Sequence, residues 1–262
     1  MFITTSNQIL NRVPSQVFIG ENENFDPANV TDPDFSTLYT STRNDRLTFD
    51  FGVVSNIDYV AFAGTNIANG QDFDSRFTVR DGTTVIARNF VKYNNCCVVT
   101  FPRRSFTNLR VGMYNADSST PPTVRFIAAG QGFNVPNDGE NAGYNRQFLN
   151  RNLVNRTSVN NQAAPIATLQ AKATANGTLS LPNMTKEFSE NEWQDFLNFA
   201  YSNSFFIREQ DPTPTAVKDD GFHTNNNSAY LCFDPRNSKI TAHPQTRELN
   251  NVSISFKVFN GL

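Results

Sequence analysis

The feature that most constrains this chain is a succession of short segments that alternate apolar and polar residues, each closed by turn chemistry, at intervals of ~10–15 residues through the first half. Leu47, Phe49 and Phe51 alternate with Thr48 and Asp50, and Gly52 breaks the run. Ile57 to Gly64 is almost wholly apolar, the pattern of a strand buried on both faces. Phe77 and Val79 alternate with Thr78 and Arg80, Asp81-Gly82 makes a hairpin-type turn, and Val85-Ile86-Ala87 is the return strand. Cys96 to Phe101, then Leu109, Val111 and Met113, then Val124, Phe126 and Ala128 continue the series. A period of two puts alternate residues on opposite faces of a pleated strand, so the series predicts an antiparallel sandwich or jelly roll.

Composition fits thin sandwich cores. Only 38% of the 262 residues are hydrophobic, and 24 phenylalanines supply much of that share. A few large rings suffice for such cores, since each buries on the order of 150–250 Å². Asn, Thr and Ser dominate the polar remainder and favour turns and half-solvated strands. The net charge is −2, and the nearest thing to a basic block is Arg103-Arg104, read as a solvated loop pair. A nucleic-acid partner needs a clustered footprint of Lys and Arg, so none is expected. No run approaches a membrane span. The segment Met1 to Gln8 lacks the basic and apolar regions of a secretory leader, which points to synthesis in a cytoplasm. Cys96, Cys97 and Cys232 are odd in number and lack zinc-type spacing, so they read as free thiols, the adjacent pair facing opposite ways along a strand.

The stretch from Gly130 to Asn150 gathers Gly130, Gly132, Pro136, Gly139 and Gly143 and reads as a linker. It divides the chain into a first domain over 1–135 and a second over 136–262. The second half carries one clear helix, expected near 190–202. Ser189 and Glu192 form a capping box, and Phe188 before the cap can pack on Trp193 as a hydrophobic staple. Trp193, Phe196, Leu197, Ala200 and Tyr201 make one apolar stripe, and Asn203 ends it. Leu179 to Leu181 and Phe205-Phe206-Ile207 are flanking strands, Asp211 to Ser228 is a polar loop, and Ala229 to Phe233 is another strand. Val252, Ile254, Phe256 and Val258 alternate with Ser253, Ser255 and Lys257 in a final amphipathic strand. The expected fold is therefore mainly β: an N-terminal antiparallel jelly-roll sandwich and a C-terminal β-sandwich or barrel with one packed α-helix.

No constellation for chemistry emerges, and the expectation is a protein that is not an enzyme and uses no cofactor. The two histidines, His223 and His243, lie in polar loops with no nucleophile nearby in sequence. Asp32 and Asp34, and Asp72 and Asp74, form Asp-x-Asp pairs without the remaining ligands of a calcium loop. Asp50-Phe51-Gly52 matches a kinase tripeptide, yet neither the glycine-rich loop nor the catalytic loop accompanies it, so it is a strand ending in a turn. Catalytic, metal and cofactor-binding residues are accordingly none, and no ligand-binding residue is assigned. Tyr39, Phe73 and Tyr114 are rings in loop-like positions that could face a sugar or cap the core.

Two stretches carry a resemblance. Leu47-Thr48-Phe49-Asp50-Phe51-Gly52, followed by Ile57-Asp58-Tyr59-Val60-Ala61-Phe62-Ala63-Gly64-Thr65-Asn66-Ile67, resembles a signature of tail-associated virion proteins of tailed bacteriophages. There a strand ending Asp-Phe-Gly precedes an Ile-Asp-Tyr-Val-Ala strand and a Gly-His-Asn-like turn; here Thr65 stands where His is common. The same half resembles the discoidin, or galactose-binding, jelly roll. From Leu179 onward, the order of strand, Ser-x-x-Glu-Trp helix, Phe-Phe-Ile strand and final amphipathic strand resembles the belt domain of phage distal tail proteins. The resemblance implies a structural component of a tail tip or baseplate in the virion. It implies a homo-oligomeric ring, hexameric with trimeric as the alternative, that extends the tail tube and links it to hub proteins. The competing readings are a lectin-like virion protein that holds host glycan, and a capsid decoration or head–tail adaptor protein.

Overall fold

The structure, a computed structural model, describes residues 1–18, 30–32, 34, 36–41, 46–67, 76–89, 96–114, 120–136, 153–159, 165–172, 175–208, 229–246 and 248–259. It is mainly β, with several antiparallel sheets and one helical segment. A five-stranded sheet runs in the order β2 (Gln16–Phe18), β4 (Arg46–Asp50), β9 (Leu109–Tyr114), β6 (Arg76–Asp81) and β7 (Thr84–Asn89). A three-stranded sheet holds β11 (Phe126–Gly130), β5 (Val54–Ala63) and β8 (Cys96–Phe106). A six-stranded sheet runs β12 (Gly132–Asn134), β1 (Phe2–Thr4), β16 (Phe205–Arg208), β17 (Ala229–Ala242), β18 (Leu249–Val258) and β15 (Ala175–Thr185). Two short pairs complete the strands: β3 (Tyr39–Thr40) with β10 (Thr123–Val124), and the hairpin of β13 (Leu153–Val159) with β14 (Pro165–Lys172).

The three-stranded sheet is the middle layer, and the alternation of its residues shows why. Val60 and Phe62, Cys97 and Val99, and Ile127 and Ala129 face the five-stranded sheet, where they meet Leu47, Phe49, Phe77, Val79 and Val111. Tyr59 and Ala61, Cys96 and Val98, and Phe126 and Ala128 face the six-stranded sheet, where they meet Phe2, Phe206, Ala229 and Leu231. A strand between two apolar layers can carry no polar face, which is why Ile57 to Gly64 reads as a nearly continuous apolar run. The far face of the six-stranded sheet packs Leu179, Leu181, Phe205, Cys232, Ile254 and Phe256 beneath the helix. The three cysteines are free and buried, one in each apolar layer. Burial pushes the Cys96 thiol up to about 11 and the other two upward as well.

The division at 135/136 leaves two strands on the other side of the fold. β1 and β12 belong to residues 1–135 by sequence, yet they pair with each other and, through β1, with β16 of the second half. Gly130 and Gly132, expected in a linker, are strand residues. A Cβ on Gly130 would lie 2.2 Å from the Ser6 carbonyl oxygen, and one on Gly132 would lie 2.4 Å from the Phe2 ring. These glycines mark close approach of backbones, the other meaning of glycine in a strand. Of the expected linker, 137–150 lies outside the described residues, as does the loop 211–228.

The helical segment is two pieces, α1 (Lys186–Glu190) and α2 (Glu192–Ala200), divided at Asn191. The N-cap is Thr185, not Ser189: its Oγ1 accepts the Phe188 N–H at 3.2 Å. Ser189 is buried inside α1, and its hydroxyl donates to the Thr185 carbonyl at 2.9 Å. Trp193, Phe196, Leu197 and Ala200 form the buried stripe as expected, but Tyr201 is 55% exposed. Its ring leaves the stripe so that its hydroxyl can meet Ser238 Oγ at 2.7 Å. Asn203 does close the last turn, its Nδ2 donating to the Phe199 carbonyl at 3.0 Å.

The final strand has the expected pleat, with Val252, Ile254, Phe256 and Val258 buried. It is not an edge. β15 pairs with it on one side and β17 on the other, Ser255 standing between Thr178 and Arg236. Ser255→Pro is therefore expected to cost about 3 kcal/mol or more by breaking an interior ladder. Urea titration measures it, and a loss under about 1 kcal/mol would contradict the pairing.

Candidate functional site

Two surfaces stand out: a cleft where the layers meet, and the edge of the six-stranded sheet at β15. The cleft, of about 540 Å³, is lined by Phe2, Asp58, Phe101, Arg103, Gly132 and Arg208 among others. Asp58 sits inside the apolar run of β5 because its two oxygens are used. Oδ2 accepts from Arg103 Nε at 3.0 Å and Nη2 at 2.7 Å, and Oδ1 accepts from the Gly132 N–H at 2.9 Å. Arg208 ends β16. Its Nη1 donates to Thr100 Oγ1 at 2.7 Å and its guanidinium lies 5.7 Å from the centre of the Phe2 ring. Burial lowers its proton affinity below the usual arginine range, and no carboxylate among the described residues pairs with it. The arrangement can accept a hydrogen-bond acceptor, a carboxylate included, against Arg208. Sequence reasoning missed both residues, although a lone Asp58 in a buried strand and an Arg208 closing Phe205-Phe206-Ile207 were visible signals.

At the other end of the sheet, β15 pairs with β18 and, among the described residues, with nothing on its outer side. Leu179 and Leu181 face the core, while Asn176, Thr178 and Ser180 are exposed. Beyond Leu181 the edge is blunted by Pro182 and by a register shift before Met184. Proline and bulges are common protection against edge pairing. The open portion is thus 176–181.

The other residues singled out in the sequence are dispersed. Tyr39 packs edge-on against Phe49 with ring centres 5.5 Å apart, and burial pushes its phenol up to about 12. It caps the core. Tyr114 lies at the end of β9 beneath the Arg76 guanidinium, 4.9 Å from its ring centre. Phe73, Asp72, Asp74 and His223 lie outside the described residues. Asp32 accepts the Asp34 N–H, and Asp34 accepts the Ser36 N–H, both at 2.9 Å. Hydrogen bonds from Ser36 hold the Asp34 carboxyl below its usual range. His243 Nδ1 accepts the Gln245 N–H in an exposed turn. Arg103 and Arg104 are not loop residues. They lie in β8, paired with Asp58 at 2.7 Å and Asp81 at 3.7 Å. Asp50 is 4% exposed, its Oδ1 accepting the Gly52 N–H at 2.9 Å and its Oδ2 facing Arg110 Nε at the same distance. Asp50-Phe51-Gly52 thus builds a turn, with Gly52 at φ +63°.

No family model matches this chain, and no curated protein does. Two solved structures resemble it: chitosan-binding module 1 of a chitosanase/glucanase from Paenibacillus sp. IK-5, and a selenomethionine-labelled point mutant of that module. The first is 15% identical and the second 14%. They cover 47% and 48% of this chain and 98% of their own, each with a TM-score of 0.36.

Proposed function

We propose that this chain is a non-enzymatic structural component of a phage tail tip or baseplate, which assembles into a ring with copies of itself and joins the tail tube to hub proteins. The open edge at 176–181 supports assembly, because unpaired strand groups are a liability in a lone monomer and closed symmetry removes them. The tail attribution rests on the resemblance of residues 47–67 and of the elements from Leu179 onward, which implies a hexameric ring with a trimer as the alternative. Pairing is assigned to β15, because β18 is paired on both sides.

Light scattering across concentration, with and without tail-tube protein, tests the reading. The native protein is expected to form a discrete oligomer. Replacing Thr178 and Ser180 together by lysine, the charge that native edges use against pairing, is expected to leave monomers whose thermal midpoint shifts by less than about 2 °C. A protein that stays monomeric under all these conditions, and that mass spectrometry does not find in purified virions, is not this component.

A further inference from the structure

Register sets residues that are far apart in the sequence in one row at the β12 end of the six-stranded sheet. Phe2 of β1 stands opposite Asn134 of β12 on one side and Arg208 of β16 on the other. Residues directly opposite in adjacent strands share a face. The Phe2 ring packs in the layer between the sheets, so Asn134 and Arg208 lie on the face toward the three-stranded sheet. The next row, Phe133, Ile3 and Ile207, packs on the helix side instead. Two strand spacings separate Asn134 from Arg208, ~9.5 Å. This row lines the cleft on one side, Thr100 to Arg103 of β8 line it on another, and Asp58 of β5 lies between.

We propose that this cleft binds a small sugar acid, a hydroxylated monocarboxylate whose acid group sits on Arg208 while its hydroxyls meet Thr100 and Asn134. Charge selects the acid. Two arginines and one aspartate line the cleft, and Asp58 is engaged with Arg103 through two hydrogen bonds. One positive charge is left, on Arg208. Its side chain donates one hydrogen bond, to Thr100 Oγ1, and has no ion-pair partner among the described residues. A guanidinium carries five N–H donors in a planar fork that matches a carboxylate, so most of that capacity is open. A cation held away from water without a counter-charge is costly, and burial already lowers the proton affinity of Arg208. A bound carboxylate supplies the missing charge, whereas a dianion such as phosphate brings more charge than the cleft balances. The hydroxyls follow from the remaining groups. Thr100 Oγ1 accepts from Arg208 and keeps its own O–H to donate. The Asn134 side chain is exposed and has no hydrogen-bond partner among the described residues. Phe2 is 5% exposed and Phe101 8%, so a long-chain acid finds little apolar surface here. The volume of about 540 Å³ lies in the range of small-ligand sites.

The cleft lies at the β12 end of the six-stranded sheet and the β15 edge at the other, so its test is independent of ring assembly. Isothermal titration with galacturonate, gluconate, the neutral methyl ester of galacturonate and inorganic phosphate separates a cyclic from a linear sugar acid and charge from shape. One or both acids are expected to bind with a Kd on the order of 1 mM or tighter. The ester and phosphate are expected to bind at least about tenfold more weakly, since each lacks the matching single charge. Arg208→Gln is expected to lose about tenfold or more in affinity for the acid. Its melting temperature should hold or rise, because an unpaired charge is removed, which separates lost binding from lost folding. Asn134→Ala changes an exposed side chain, so it keeps the fold and is expected to lose about three- to tenfold; it decides the matter if Arg208→Gln does not fold. Absence of binding by both acids up to about 10 mM, ester or phosphate binding as tight as the acids, or undiminished binding by a folded Arg208→Gln or by Asn134→Ala would overturn the proposal.

Discussion

Trp193→Ala is expected to lower stability by ~3–5 kcal/mol, the cost of deleting a fully buried large ring and leaving a cavity. Trp193 is 0% exposed and is the only tryptophan of the chain. Its ring centre is 5.1 Å from that of Phe196, Phe196 is 5.1 Å from Phe205, and Phe205 is 5.6 Å from Phe256. A file of aromatic contacts thus runs from the helix onto the six-stranded sheet, from β16 to β18, and removing its first member leaves the others without a wall. The indole N–H has no hydrogen-bond partner among the described residues. Trp193→Phe removes that buried donor along with part of the ring, so it is expected to cost about 2 kcal/mol less than alanine. Urea titration of both variants at unchanged slope gives the two numbers. Native emission that is red-shifted and readily quenched, or an alanine variant that loses under about 1 kcal/mol, would place the ring outside the core.

What could be read in advance depends on the range of the interaction. Alternation is local, so the faces of β4, β6, β9 and β18 were legible, as was the two-faced burial of β5. The stripe Trp193, Phe196, Leu197 and Ala200 was legible for the same reason, since a helical period needs no partner to be seen. The helix start was misplaced because Ser189-x-x-Glu192 satisfies the capping pattern, whereas Thr185 caps an earlier turn and Ser189 faces inward. Pairing is not local. Nothing in residues 1–4 announces that β1 inserts between β12 and β16, nor that β15, rather than the cleaner β18, lies at the edge. The row that lines the cleft was invisible for the same reason. The sequence shows Arg208 closing a strand, but only the register sets it in line with Phe2 and Asn134. Gly130 and Gly132 were misread because a glycine needed for a close approach and one in a linker look the same without the approaching chain.

Phe206→Ala is expected to cost a further ~3–5 kcal/mol when made alone, and to change the form of unfolding as well as its midpoint. Phe206 is 1% exposed and stacks on Phe126 with ring planes 5° apart and centres 6.2 Å apart. The layer it fills, between the three-stranded and six-stranded sheets, sets Ala61, Ala63, Ala128 and Ala229 beside Cys96, Val98 and Leu231, with Phe2, Tyr59 and Phe126 as its other buried rings and Phe259 packed against it. Small neighbours cannot move in to fill the space, so the cavity persists and the coupling between layers weakens. The native chain is expected to unfold in one transition, because β1 and β12 tie the first half into the sheet of the second. In the variant, Trp193 emission reports the six-stranded sheet and helix alone, while far-ultraviolet circular dichroism reports all the strands. The emission transition is expected to come at lower urea than the dichroism midpoint. Coincident transitions together with a loss below about 1 kcal/mol would mean that this apolar layer does not hold the two halves together.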